Sequence, residues 1–250
     1  MAKSNNVKFT KLIWKGGFNS AIKFLALKIR DLVLPEQIRF KEHYVKWRDQ
    51  RIRCIVDHYG KDFFKGKKLL ELGCGYGDIG AYFAKLGAKV TCLDARQEHL
   101  EVLKRRYPFL KAVQADLDNE WPFKKDEFDI ILHLGTLYHL QYVDRPLVDV
   151  CQSTKHLVLE TEVCDSDDPE MIIYTKERGY DQAFNKTGIR PSGAYIEKIL
   201  KICGMKFKRL KTSNYDTEDH KYNWEIRNTG KWQHGLRRLY FAYKSHHQDN

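Results

Sequence analysis

The run Leu69-Leu70-Glu71-Leu72 breaks into Gly73-Cys74-Gly75-Tyr76-Gly77, and a helix-like stretch opens at Asp78. Glycine serves where the backbone turns sharply or where a ligand must approach without a Cβ in the way. A strand, a glycine turn and a helix in that order open an α/β unit. The carboxyl end of such a strand is where nucleotide-like ligands settle. The pattern then repeats without glycines. Short apolar strands are expected at 68–72, 89–93, 111–114, 128–134 and 156–162, with helices at 78–86 and 97–107 between them. In the second of these helices Leu100, Leu103 and Tyr107 share a face. Strands of this kind separated by helices form a parallel sheet covered on both sides, and right-handed crossovers make it doubly wound. A helix at 192–203 and strand-like runs at 206–211 and 239–243 follow. The fold expected is α/β: a doubly wound, mostly parallel sheet with an antiparallel C-terminal edge and an N-terminal helical extension. The domain boundaries expected are 1–67 for the extension and 68–250 for the main domain.

The glycine loop alone is ambiguous, because Gly75 to Gly80 also satisfies the GxGxxG dinucleotide fingerprint. Glu71, two residues before Gly73, puts an acid beside the loop, awkward for a pyrophosphate and suited to an ammonium or sulfonium. Asp94 ends the second strand about 20 residues on, where a carboxylate accepts ribose hydroxyls. Asp116 follows the third strand, where a carboxylate meets an adenine amino group. Asp94 by itself suits either cofactor.

With these motifs in order and at their spacing, residues 68–162 resemble the class I S-adenosylmethionine-dependent methyltransferase family. The resemblance implies a Rossmann-like fold and S-adenosyl-L-methionine as cofactor. It implies that Gly73, Gly75 and Gly77 line the methionine end, that Asp94 holds the ribose, and that Asp116 and Leu117 meet the adenine. Glu71 and Leu134 complete the expected cofactor set. The Gly-x-Leu-Tyr-His-Leu form of Gly135 to Leu140 is similar to a subset that includes wobble-uridine and sugar-modifying methyltransferases.

Methyl transfer from a sulfonium needs in-line approach, exclusion of water and, for a hydroxyl acceptor, removal of a proton. Histidine has the ordinary pKa for that last task. His139, just beyond the fourth strand, is the candidate base, while His133 within the strand reads as a core or supporting residue. Glu160 and Glu162 end the fifth strand and are candidates to orient the base or the acceptor, or simply to pair with a cation. The long polar stretch at about 164–191 is placed to be an inserted lid. Its Asp165, Asp167 and Asp168 do not have calcium-loop spacing, so no metal is assigned.

Composition sets the remaining bounds. The net charge is +11, and residues 1–68 hold all of that excess, with seventeen Lys and Arg against six Asp and Glu. Such an extension suits RNA or another anionic surface, although phosphate binding needs a clustered face and not merely charge. No apolar run reaches membrane-spanning length and the start has no signal-peptide core, so a cytoplasmic protein is expected. The six cysteines contain no CxxC and are expected to be free thiols. A sugar, glycoconjugate or other small hydroxyl acceptor is the leading expectation. An RNA-modifying enzyme is the second, and a non-catalytic S-adenosylmethionine-binding domain the third.

Overall fold

A computed structural model describes residues 44–177, 179 and 182–245. The basic stretch 1–43 of the expected helical extension lies outside the described residues, as do Arg178, Tyr180 and Asp181 of the expected lid. The chain divides into compact units at Lys46/Trp47, upstream of the boundary expected at 67/68.

Seven strands form one sheet: β1 (Lys68–Leu72), β2 (Lys89–Asp94), β3 (Lys111–Gln114), β4 (Phe128–Leu134), β5 (Thr154–Cys164), β8 (Met205–Arg209) and β9 (Trp232–Lys244). Their order is β3-β2-β1-β4-β5-β9-β8. The first five are mutually parallel, and β9 runs antiparallel to both β5 and β8. The two late strands expected at the edge are both present, but β9 lies inside the sheet and only β8 is at its margin. The sheet order reverses between β1 and β4, and in sheets of this kind ligands settle beyond the carboxyl ends at such a switch point.

The helices are α1 (Tyr44–Tyr59), α2 (Asp78–Lys85), α3 (Gln97–Arg106), α4 (Asp144–Ser153) and α5 (Gly193–Ile202). Each of the last four carries an apolar stripe because its buried residues recur at helical spacing, as with Ile196, Ile199 and Leu200 of α5. Ser192 caps α5 by accepting from the Tyr195 N–H at 2.9 Å. One core, on the face covered by α4 and α5, joins Leu70, Leu72, Ile131, Leu157, Leu147 and Ile196. The other packs Ile55 of α1 and Phe83 of α2 against Leu69, Ile130 and Val158. Alternate residues of one strand therefore feed opposite cores, as its pleat requires.

The stretch expected as a polar lid is not one loop. It folds into a separate hairpin of β6 (Ile172–Lys176) and β7 (Thr187–Pro191). The strand expected at 239–243 is also longer, running back to Trp232. Its added portion carries Arg237 and Arg238, which apolar periodicity does not mark as strand. Arg237 is buried there because Glu160 and Glu162 of β5 stand beside it.

Candidate active site

The glycine loop and the loop after β4 meet over the crevice. Thr136 Oγ1 donates to the Leu72 carbonyl at 3.0 Å, and a Cβ on Gly73 would lie 2.2 Å from that oxygen. A Cβ on Gly77 would run into Leu103 of α3 at 2.7 Å. Gly75, at φ 52°, has nothing within 4 Å of its Cβ position. The three glycines, expected to act alike, therefore divide. Gly73 and Gly77 let neighbouring side chains close in, and Gly75 leaves its backbone open as a cradle.

Two of the expected acids stand at the strand ends beside this cradle. Asp94 accepts from the Gly75 N–H and the Arg96 N–H, both at 2.9 Å, and His99 Nδ1 lies 3.3 Å from it. Its carboxylate thus fixes the loop backbone. Asp116 accepts from Asn119 and, across the crevice, from Asn185 Nδ2 at 3.1 Å; the same Asn185 nitrogen reaches Asp118 at 3.0 Å. Leu117 and Leu134 are buried nearby in the two cores.

Glu71 does not face the cradle. Its carboxylate accepts from the Gly80 N–H at 2.8 Å and lies 3.6 Å from Cys92 Sγ, beneath the loop. Burial pushes its carboxyl up to about 8, against the pull of the Gly80 N–H. The first turn of α2 approaches this carboxyl because Gly80 has no side chain; a Cβ there would lie 2.7 Å from it.

A short helical turn, Leu137–His139, carries the candidate base. His139 Nδ1 makes a close contact with Glu177 Oε2, at the end of β6. Glu177 Oε1 pairs with Arg190 Nη2 at 2.6 Å, and Arg190 Nε lies 2.6 Å from Glu162. Glu162 also meets Arg237 Nη2 at 3.2 Å and His234 Nδ1 at 3.0 Å. Arg237 Nη1 pairs with Glu160 at 3.0 Å, and the other Glu160 oxygen takes Arg51 of α1. Glu160 and Glu162 are therefore both saturated with buried cations, and neither oxygen pair is offered to the crevice. Burial opposes the Glu177 charge, yet His139 and Arg190 outweigh it and hold its carboxyl down at about 2. Burial alone would lower Arg237, but Glu160, Tyr138 and Glu162 overcome this and raise it.

His133 is fully buried in β4 between Leu72 and Leu159. Neither ring nitrogen has a hydrogen-bond partner among the described residues, and burial pushes its pKa down to about 3. Asp165 accepts from the Arg227 N–H at 2.7 Å and from the Thr229 hydroxyl at 2.7 Å, anchoring the long 210–231 connection. A cavity of about 780 Å³ lies elsewhere, between α1 and the β8–β9 margin, with Asp57, His58, Lys208 and Phe241 in its wall. It includes neither the glycine loop nor the His139 cluster.

Glu177, Arg190 and Arg237 went unmarked as site residues in the sequence. The one local signal is Gly188 in β7, whose absent side chain leaves room for Glu177 Oε1 and the Tyr138 carbonyl, each 2.6 Å from its Cβ position.

Residues 69–156 match the family model described as a methyltransferase domain. The ubiquinone biosynthesis O-methyltransferase of Pelagibacter ubique is 33% identical over 104 residues, covering 38% of this chain and 43% of that protein. The phthiotriol/phenolphthiotriol dimycocerosates methyltransferase of Mycobacterium tuberculosis is 32% identical over 89 residues, 34% of this chain and 33% of that one. The chain thus spans less than half the length of these curated relatives. Among solved structures, the N-terminal domain of EvdMO1 in the presence of SAH and D-fucose aligns with a TM-score of 0.61 at 16% identity, covering 82% and 84% of the two chains. An S-adenosylmethionine-dependent methyltransferase from Mesorhizobium loti aligns at 0.56 and 17%, covering 79% and 98%. At these identities the structural likeness concerns the fold. Residues 69–156 thus match a methyltransferase domain, and the sheet they build has the fold of the solved S-adenosylmethionine-dependent methyltransferase.

Proposed function

We propose that the chain is an S-adenosylmethionine-dependent methyltransferase that methylates a hydroxyl of a sugar, glycoconjugate or other small acceptor. The observation that carries this reading is the placement of His139 on the loop that leans, through Thr136, on the glycine loop. A proton acceptor therefore stands beside the cradle. Gly75 would admit the methionine end, Asp94 the ribose and Asp116 the adenine. Bound there, the cofactor supplies a methyl group already activated on a sulfonium. The chain's own tasks are to orient the acceptor, keep water out and take its proton. His139 takes that proton as the hydroxyl oxygen forms its new bond to carbon. The electron pair of the broken carbon–sulfur bond stays on sulfur.

The relatives lend support in kind. One is named an O-methyltransferase, and the EvdMO1 structure was determined with SAH and D-fucose. Within the described cluster Arg51, Arg190 and Arg237 are each spent on carboxylates, which suits a neutral acceptor there. A cytoplasmic location belongs to the same proposal; no helix among the described residues is long and apolar enough to cross a membrane.

The test has two stages. S-adenosylmethionine and S-adenosylhomocysteine should raise the melting temperature while NAD does not, because only a ligand of the native state stabilises it. Labelled methyl should then transfer to D-fucose or nucleotide sugars and not to bulk RNA. A shift with NAD alone overturns the cofactor assignment, and labelling of RNA alone overturns the acceptor.

A further inference from the structure

We infer that Glu177 is the positioning residue of the methyl-transfer site, holding His139 in the tautomer whose Nε2 lone pair faces the acceptor. This rests on the function proposed above and assigns a partner to its base.

The geometry separates this role from that of an ordinary ion pair. Glu177 uses its two oxygens differently. Oε1 goes to Arg190, while Oε2 takes His139 Nδ1 and the Ala183 N–H at 3.0 Å. Arg190 already has a second carboxylate in Glu162, so the neutralisation of Arg190 does not by itself require Glu177 to reach the imidazole. Arg190 Nη1 also donates to the Tyr138 carbonyl at 3.0 Å. One arginine therefore ties down both the backbone ahead of the base and the carboxylate that meets its ring. The main chain is closed from the other side by the His139 N–H, which donates to the Thr136 carbonyl at 2.9 Å. Tyr138 tilts over the His139 ring at 4.0 Å, and its hydroxyl accepts from Arg237 at 3.1 Å.

An ionised carboxylate only accepts hydrogen bonds, so the ring nitrogen that meets it must carry the hydrogen. With hydrogen on Nδ1, the neutral imidazole keeps its lone pair on Nε2. The acceptor's proton goes to that nitrogen, and the positive charge that forms lies against Glu177. A carboxylate plays the same part toward histidine in the serine-protease triad, by orientation and charge and without taking the proton itself. Among the described residues, the charged and titratable groups in the network that reaches the ring are Glu177 after β6, Arg190 on β7, Glu162 on β5, Arg237 on β9 and the Tyr138 hydroxyl. Among these described groups Glu177 alone touches a nitrogen of the His139 ring.

The test reads the ring directly. Nitrogen-15 NMR of the His139 side chain, assigned by its disappearance in His139→Ala, should show the Nδ1–H tautomer in the parent protein. In Glu177→Gln the tautomer should mix as the anion is lost. Turnover should drop by about 10²-fold or more at unchanged S-adenosylhomocysteine affinity. Glu177→Asp, which keeps the charge, should recover the Nδ1–H tautomer in part. A parent His139 with its hydrogen on Nε2 overturns the assignment even if the glutamine variant fails to fold, and so does a Glu177→Gln protein with the parent tautomer and turnover. A parent that binds no S-adenosylhomocysteine defeats the methyltransferase reading instead, and leaves the ring measurement to decide the pair.

Discussion

Replacing Glu71 by Gln should flatten the pH dependence of stability between about pH 5 and 8. The carboxyl sits beneath the glycine loop, fully enclosed, with Gly80 N–H as donor and Cys92 beside it. Its folded-state pKa is about 8, against 4.5 for an ordinary glutamate. Between those values the folded protein keeps a proton that the unfolded chain has released. The stability this contributes is full below 4.5 and is lost as pH rises through 8. At 1.36 kcal/mol per unit, the loss across that window is about 3–5 kcal/mol, a large share of the ~5–15 kcal/mol of a typical domain. A domain of this size loses about 2–4 °C of melting temperature per kcal/mol, so parent and variant should differ in their drop from pH 5 to pH 8 by about 10 °C. Glutamine keeps the carbonyl that accepts from Gly80 and has nothing to ionise. Urea unfolding at pH 5, 6.5 and 8 measures both profiles, and their difference cancels His133, His220 and every other group the two proteins share. Parallel profiles would refute the argument, since they would mean that Glu71 titrates alike in folded and unfolded chains.

The remaining expectations concern the crevice. Asp94→Ala should abolish most of the melting shift produced by S-adenosylhomocysteine, because it removes the carboxylate that sets the Gly75 backbone as well as the expected ribose contact; an undiminished shift would remove Asp94 from the cofactor set. His139→Ala should retain cofactor binding and lose about 10²–10⁴-fold in turnover, with the acid limb of the rate profile gone; near-parent turnover would return the proton to water or to another side chain.

The parallel half of the sheet was legible because its strands advertise themselves. Leu69–Leu72 and Ile130–Leu134 are apolar on both faces, as strands buried between two helical layers must be, and the turn glycines mark where one leads into a helix. Asp94 and Asp116 were legible for the same reason, since a strand end locates them. Glu71 sat at the right position for the wrong reason: spacing placed it beside the loop, but the pleat decides which way a side chain points, and it points under α2. The second half of the site follows another logic. Arg237 and Arg190 lie on strands whose polar residues break the alternation that identifies strands, and Glu177 lies in a stretch that reads as loop. Their burial is a property of pairing across β5, β7 and β9, which local periodicity does not contain.

That pairing gathers a cluster of buried charge beside His139. Arg51, Arg190 and Arg237 stand against Glu160, Glu162 and Glu177, three cations and three anions, so the buried cluster is neutral while His139 is neutral. Removing one member would leave an uncompensated charge in the buried network, typically at about 3–5 kcal/mol. Apolar side chains of similar volume are often no less stabilising in such a place, so stability alone gives weak reason for the arrangement. A proton arriving on His139 gives it a different use. The added charge forms against a carboxylate that Arg190 has already fixed in place, and no group must reorient to receive it. In a crevice that excludes water, such prior orientation lowers the cost of charge formation more than a mobile surface carboxylate could. His139, Glu177 and Arg190 come from three separate segments, and the ion network is what brings them to one point.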